Sequence, residues 1–116
     1  MKRSLLESIE NEIATAARAE GIGDSANAFR HLERAHVLAQ ESTYQHTRVH
    51  WLMLKHGVRH RDGNEVAGQV LRIAGAATKT ALGIYPKGNT GGANVSPFRS
   101  MPVEDDLKRV LQEAGK

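Results

Sequence analysis

The chain has 116 residues, 40% of them hydrophobic and 25% charged, with no cysteine and a formal net charge of +3. That length suits one domain with a single modest core, and the lack of cysteine excludes disulfides, thiolate metal sites and cysteine nucleophiles. Aromatic residues make up only 4%, so the core must come from Leu, Ile, Val and Ala, which favours packed helices over a sheet.

The charge is unevenly spread. Residues 1–44 carry five Lys/Arg against seven Asp/Glu, whereas residues 45–102 carry eight against two. The middle of the chain is basic and becomes more so if its histidines are protonated. The first residues carry acids instead of a signal peptide's apolar stretch, and no run approaches a membrane span. A cytoplasmic protein is expected.

The spacing of Leu5, Ile9, Ile13 and Ala16 predicts a first helix over 4–20, with Ser4 and Glu7 as a capping box and Gly21 and Gly23 ending it. Asp24 can cap a second helix to about Gln40, with Ala28, Leu32, Ala35 and Ala39 on one face. After the turn "ESTY" a third helix is predicted over 44–57, stopping at Gly57. Asp62 and Glu65 form a further capping box for a fourth helix over 63–82, with Val66, Val70, Ile73 and Ala77 as its apolar face. Gly68 and Gly75 on that helix would admit another backbone closely.

From Gly83 to about Val103 the periodicity disappears. This stretch, "GIYPKGNTGGANVSPFRSMPV", holds all three prolines. Its Ile84, Tyr85, Val95, Phe98 and Met101 point to an ordered strap across the helices, not a flexible tail. A short last helix is expected over 104–114, its first turn carrying Glu104, Asp105 and Asp106 and its buried stripe Leu107, Val110 and Leu111. The fold class is therefore all-α, two antiparallel helical hairpins closed by a strap and a terminal helix. Leu5, Ile9, Leu32, Ala35, Trp51, Leu52, Val70 and Ile73 are the expected core.

All six histidines (His31, His36, His46, His50, His56 and His60) fall between residues 31 and 60. His46 and His50 are four apart and share a helix face. In an antiparallel hairpin turning near residue 42 or 43, His36 lies opposite residue 49 or 50. His36, His46 and His50 can then converge, with Glu33 at the edge, as ligands for Zn²⁺, Cu²⁺, Ni²⁺ or Fe²⁺. The competing account is structural: His36 and His50 fasten the hairpin by donating to carbonyls or to Glu33. Glu33 and His36 match the Glu-x-x-His half-motif of di-iron bundles, but no second copy exists and that chemistry is disfavoured. His56 is expected to cap a helix C-terminus, and His31 and His60 to lie at the surface beside arginines.

"GNTGGANVS" lacks both the Lys-Ser/Thr ending and the preceding strand of a phosphate loop. Its glycines are expected to permit tight turns, with Asn89 and Asn94 bonding local backbone. Arg48, Lys55, Arg59, Arg61, Arg72 and Lys79 could contact nucleic acid, yet no aromatic platform or helix-turn-helix pattern accompanies them, which disfavours that partner.

Two resemblances accompany these patterns. "DSANAFRHLERAHVLAQ" and "WLMLKHGVRHRDGNEVAGQVLRIAGAA" resemble tetratricopeptide-like helical hairpins, which implies a protein-binding face. "HLERAHVLAQ", "HTRVHWLML", "GQVLRIAGA" and "PKGNTGGANVSPFRSMP" together resemble a family of small bacterial proteins, a domain of unknown function. That likeness covers roughly residues 24–107 and implies a single module without naming a reaction. The expected function is a non-catalytic helical protein with a protein partner or a second copy of itself, and a divalent metal at His36, His46, His50 and Glu33. The alternatives are a metal-dependent enzyme and a basic nucleic-acid-binding module.

Overall fold

A computed structural model of the chain describes residues 1–79, 87–96 and 99–115, with the side chains of 77–79 left aside. Five helices run in order: α1 (Arg3–Gly21), α2 (Ser25–Ala39), α3 (Thr43–Arg59), α4 (Gly63–Lys79) and α5 (Asp105–Glu113). No strand occurs among the described residues, so the all-α architecture stands. Helices α1 and α2 pack as one hairpin and α3 and α4 as another, joined through the α2–α3 contact, while α5 docks on α1 and α2. Among the described residues no helix is long and apolar enough to cross a membrane.

The core lies between α1, α2, α3 and α5. Leu5, Ile9 and Ala16 meet Leu32, Ala35, Leu38 and Ala39, with Val49 and Met53 from α3 and Leu107 and Leu111 from α5. Alanines on α1 and α2 (Ala16, Ala35 and Ala39) lie in this core beside the larger Leu and Ile side chains. Each such burial contributes roughly 1.5–3 kcal/mol. Arg34 then ties three elements together. It pairs with Glu12 on α1 and with Glu104 and Asp106 at the start of α5.

Side-chain caps form where the chain turns between helices. Asp24 Oδ1 accepts from Asn27 N, Ser42 Oγ from Gln45 N, and Asp62 Oδ1 from Glu65 N, at 3.1–3.2 Å. The expected box at Ser4 does not form, because α1 already starts at Arg3, after Lys2. Nor does Gly57 stop α3. It stays helical to Arg59, and the bare Gly57 backbone seats Glu65 and Val66 of α4, whose side chains would lie 3.3–3.4 Å from an added Cβ.

Two residues of the expected core, Trp51 and Val70, lie outside it. The buried positions of α3 are His46, Val49, His50, Met53 and Gly57, a helical stripe that turns Trp51 outward, and Trp51 is 54% exposed. On α4 the interior stripe is Glu65, Gln69 and Ala76, while Val70 and Leu71 are exposed. Of the predicted apolar face of α4, Val70 points away while Val66 and Ile73 stay partly buried, because α4 packs on no helix but α3 among the described residues and turns its polar stripe to the strap. Leu52 and Ile73 are only partly buried. Ile84, Tyr85 and Phe98 lie outside the described residues, as does the predicted end of α4 beyond Lys79.

The strap from Lys87 to Ser96 is an ordered cover. Gln40 Oε1 accepts from Gly88 N at 2.9 Å, and Glu65 Oε2 accepts from Ala93 N at 3.0 Å. Arg72 donates to the Val95 carbonyl at 2.7 Å. Within the strap, Asn89 Nδ2 donates to the carbonyls of Ser96 and Arg99, and Asn89 Oδ1 accepts from Gly91 N. The strap lies close on α4 at Gly68, since a Cβ there would sit 2.5 Å from that of Ala93.

Candidate metal centre

Where α2 and α3 face each other beneath the strap, His36, His46 and His50 are 2%, 7% and 3% exposed. Their Nε2 atoms form a near-equilateral triangle. His36 lies 3.0 Å from His46 and 3.1 Å from His50, and His46 lies 3.2 Å from His50. The helical repeat puts His46 and His50 on one face, and the hairpin brings His36 across to them. Three nitrogens at one face of a tetrahedral zinc site, with Zn–N bonds of 2.0–2.1 Å, stand about 3.3 Å apart. The observed triangle is close to that spacing.

The protons decide what this triangle can do. His36 Nδ1 donates to the Asn89 carbonyl at 2.6 Å, and His50 Nδ1 donates to Gln69 Oε1 at 2.6 Å. The Gln69 amide is fixed in turn, because its Nε2 donates to Glu65 Oε2 at 2.6 Å and to the Gly91 carbonyl at 2.8 Å. A neutral imidazole with its proton on Nδ1 has only a lone pair on Nε2. His36 and His50 therefore aim two lone pairs at each other across 3.1 Å. A proton on His46 Nε2 can bond to either of them, and a cation can take all three nitrogens at once; imidazoles held through Nδ1 by carbonyl-type oxygens are how proteins orient metal-binding histidine.

Protonation of the rings themselves is opposed. Burial pushes His36 well below the ordinary histidine range, with His50 and His46 adding to the effect. Burial lowers His46 to about 3, again with His50 beside it. Burial lowers His50 to about 4 against the opposing bond from Gln69, and Arg72 lowers it further. Near neutral pH all three are uncharged ligands, and the buried triad could hold a metal ion.

Glu33 does not join them. The three histidines cluster without it, and its carboxyl lies by Thr90 of the strap, raised above the usual carboxylate range chiefly by burial and by nearby Glu65. The supporting residues Gln69, Asn89 and Glu65 were missed as site residues. Glu65 and Gln69, polar and four apart on α4, were the available signal, but Glu65 reads first as a capping residue.

The other histidines are placed differently. His31 pairs with Glu12 at 3.3 Å and His60 with Glu20 at 2.8 Å, while His56 contacts the Ser25 carbonyl at 3.2 Å and makes no helix cap. Of the basic residues weighed for nucleic acid, Arg48 pairs with Glu10, Arg59 with Glu20, and Arg72 is spent on strap and helix carbonyls.

A small helical domain with a buried three-histidine cluster under a glycine-rich strap is thus the class of protein defined here. The chain belongs to the family described as "Protein of unknown function (DUF3703)", which it matches over residues 3–111. No curated protein and no solved structure matches it.

Proposed function

We propose that the chain is a non-catalytic metal-holding protein, with one divalent transition-metal ion on Nε2 of His36, His46 and His50. The observation that carries this is the pair of facing lone pairs on His36 and His50, each fixed by a Nδ1–H bond to oxygen. All three ligands are neutral nitrogens, a set that suits Zn²⁺, Cu²⁺, Ni²⁺ or Fe²⁺. Glu65, linked to His50 through Gln69, supplies nearby negative charge. A holding role is preferred to catalysis because helices and strap enclose the ligands, so that a substrate would have to displace the cover. Glu33 serves at most as a charge behind the strap.

Elemental analysis of untagged protein, with calorimetric titration at pH 7.5, tests this. Zn²⁺ should bind to the triad more tightly than about 10 μM. His50→Ala should remove that event and His31→Ala should keep it. Equal behaviour of the two variants, or no binding of any of the four ions at that level, would sink the proposal.

A protein partner, or a second copy, is proposed on a separate observation. Trp51 and Val58, seven apart on α3, are 54% and 61% exposed, and Val70 and Leu71 on α4 are 54% and 74% exposed. Apolar side chains grouped on one hairpin mark contact surfaces more often than isolated ones do. Light scattering and native pull-down with Val70→Lys as control test it. A monomer that captures nothing specific to the wild type would refute it.

A further inference from the structure

The last turns of α1 and α3 hold a second group of ligand-type side chains, separate from the buried triad. Glu20 comes from α1, His56 from α3 and His60 from the cap of α3. One ligand atom from each lies within 4.8 Å of the others. Glu20 Oε1 is 2.8 Å from His60 Nε2, and Glu20 Oε2 is 3.9 Å from His56 Nε2. We propose that Glu20, His56 and His60 form a second divalent transition-metal site, partly open to solvent.

Four features support it. His56 and His60 are four apart, so their rings neighbour each other on one face, with centroids 4.3 Å apart and planes tilted by 41°. Glu20 Oε2 is buried and has no hydrogen-bond partner, although Oε1 of the same carboxylate meets His60 and Arg59. A buried carboxylate oxygen left unpaired is costly, and a cation between it and His56 satisfies it directly. Both α1 and α3 end here, and the partial negative charge at helix C-termini favours a cation. Finally, Glu20 and His56 border a cavity of about 200 Å³ whose floor includes Ile13 and Leu32, which gives an ion and its waters a way in.

Two nitrogens and one carboxylate make a borderline ligand set suited to Zn²⁺, Cu²⁺ or Ni²⁺. The cost of binding is also visible. His56 Nε2 must give up its contact with the Ser25 carbonyl at 3.2 Å, and Arg59 must leave Glu20 Oε1 at 3.4 Å. Arg59 is 55% exposed and can swing into water. This site should therefore bind more weakly than the triad and exchange its ion faster.

Titration of the full chain with ZnCl₂ at pH 7.5 tests the assignment by difference. Glu20→Gln and His60→Ala, both at the surface end of the helices, should each bind one equivalent fewer than the wild type. Zinc should shift the imidazole ¹⁵N resonances of His56 and His60 in the His50→Ala variant as well. Unchanged stoichiometry in both Glu20→Gln and His60→Ala would overturn the second site. Because His50→Ala removes only the triad's equivalent, failure of the buried site and failure of this one give different counts.

Discussion

Replacing Gly91 by alanine tests whether the strap positions the triad. Gly91 has φ +84°, and a Cβ built there would lie 2.5 Å from His36 Cδ2, 2.6 Å from its Cγ and 2.8 Å from its Nε2. Carbon atoms in contact prefer about 3.5–4.0 Å, so the ring or the strap must yield by about 1 Å. Neither can do so freely. The ring is held through Nδ1 by Asn89 O at 2.6 Å, and Gly91 is held by Gln69 and Asn89. Alanine in this backbone region costs about 1–2 kcal/mol, and overpacking a tight site adds about 1–3 kcal/mol. Gly23 supplies the control: its φ is +81° and nothing lies within 4 Å of its Cβ position. Gly23→Ala should therefore show the backbone cost alone, about 1 kcal/mol after the gain from a stiffer unfolded chain. Gly91→Ala should cost about 2–4 kcal/mol in urea unfolding with EDTA. Metal bonds tolerate only about 0.2 Å, so its Zn²⁺ affinity at the triad should fall about 100-fold or more. Wild-type affinity in Gly91→Ala, with a stability loss no larger than that of Gly23→Ala, would refute the claim that the strap sets the His36 ring.

Without metal, stability should depend steeply on acid. Folded His46 and His50 titrate near 3 and 4 and His36 is also depressed, whereas the unfolded chain takes up protons near pH 6.5. The unfolded state thus binds more protons below about 6.5, and stability falls as pH drops from there toward 4. The slope approaches about 1.4 kcal/mol per pH unit for each histidine. Urea midpoints in EDTA at pH 7.5, 6.0 and 5.0 measure it, and a flat profile would contradict the buried triad. Gln69→Ala removes the acceptor for His50 Nδ1 and should weaken Zn²⁺ binding about 10- to 100-fold in calorimetry while helical circular dichroism persists. Unaltered affinity would show that His50 needs no orienting partner. Arg34→Ala leaves Glu12, which is 13% exposed, with His31 as its remaining partner, and should cost about 1.5–3 kcal/mol in urea unfolding, the usual worth of hydrogen bonds to a charged group. A loss under 0.5 kcal/mol would mean that α5 docks through Leu107 and Leu111 alone.

The elements that the sequence made legible are those governed by local rules. Asp24 and Asp62 announce helix starts because a short oxygen side chain satisfies the free N–H groups there, and both caps form. The meeting of His36 with His50 follows from equal distance to the turn, and it holds to 3.1 Å. Position-specific burial was less legible. Trp51 looks like a core residue by type, yet its neighbours His46, Val49, His50 and Met53 define the stripe and leave it outside. Val70 was misplaced for a related reason. Helical period gives two possible faces on α4, and the interior one is the polar Glu65–Gln69 stripe because a polar site and a strap full of backbone groups lie against it. Glu33 lies outside the three-histidine cluster, with its carboxyl at Thr90. No periodicity could say where the strap lies, since its place is fixed by long-range bonds to Gln40, Glu65 and Arg72.

The energetics of the triad bear on why one short segment holds every histidine. A hairpin that needed only fastening would be better served by leucine at these positions. Two lone pairs facing each other at 3.1 Å repel, a cost that a proton on His46 Nε2 or a bound cation offsets. The surroundings reinforce the arrangement: Asn89 O and Gln69 Oε1 fix the tautomers that leave Nε2 bare. Glu65 holds Gln69, and the same Glu65 anchors the strap at Ala93. Together they make sense as a set if the lone pairs are meant to be occupied. Helix α3 carries His46 and His50 into that interior and, two turns later, His56 and His60 out to Glu20. One helix therefore contributes to both clusters that could hold a metal ion, one buried and one partly exposed.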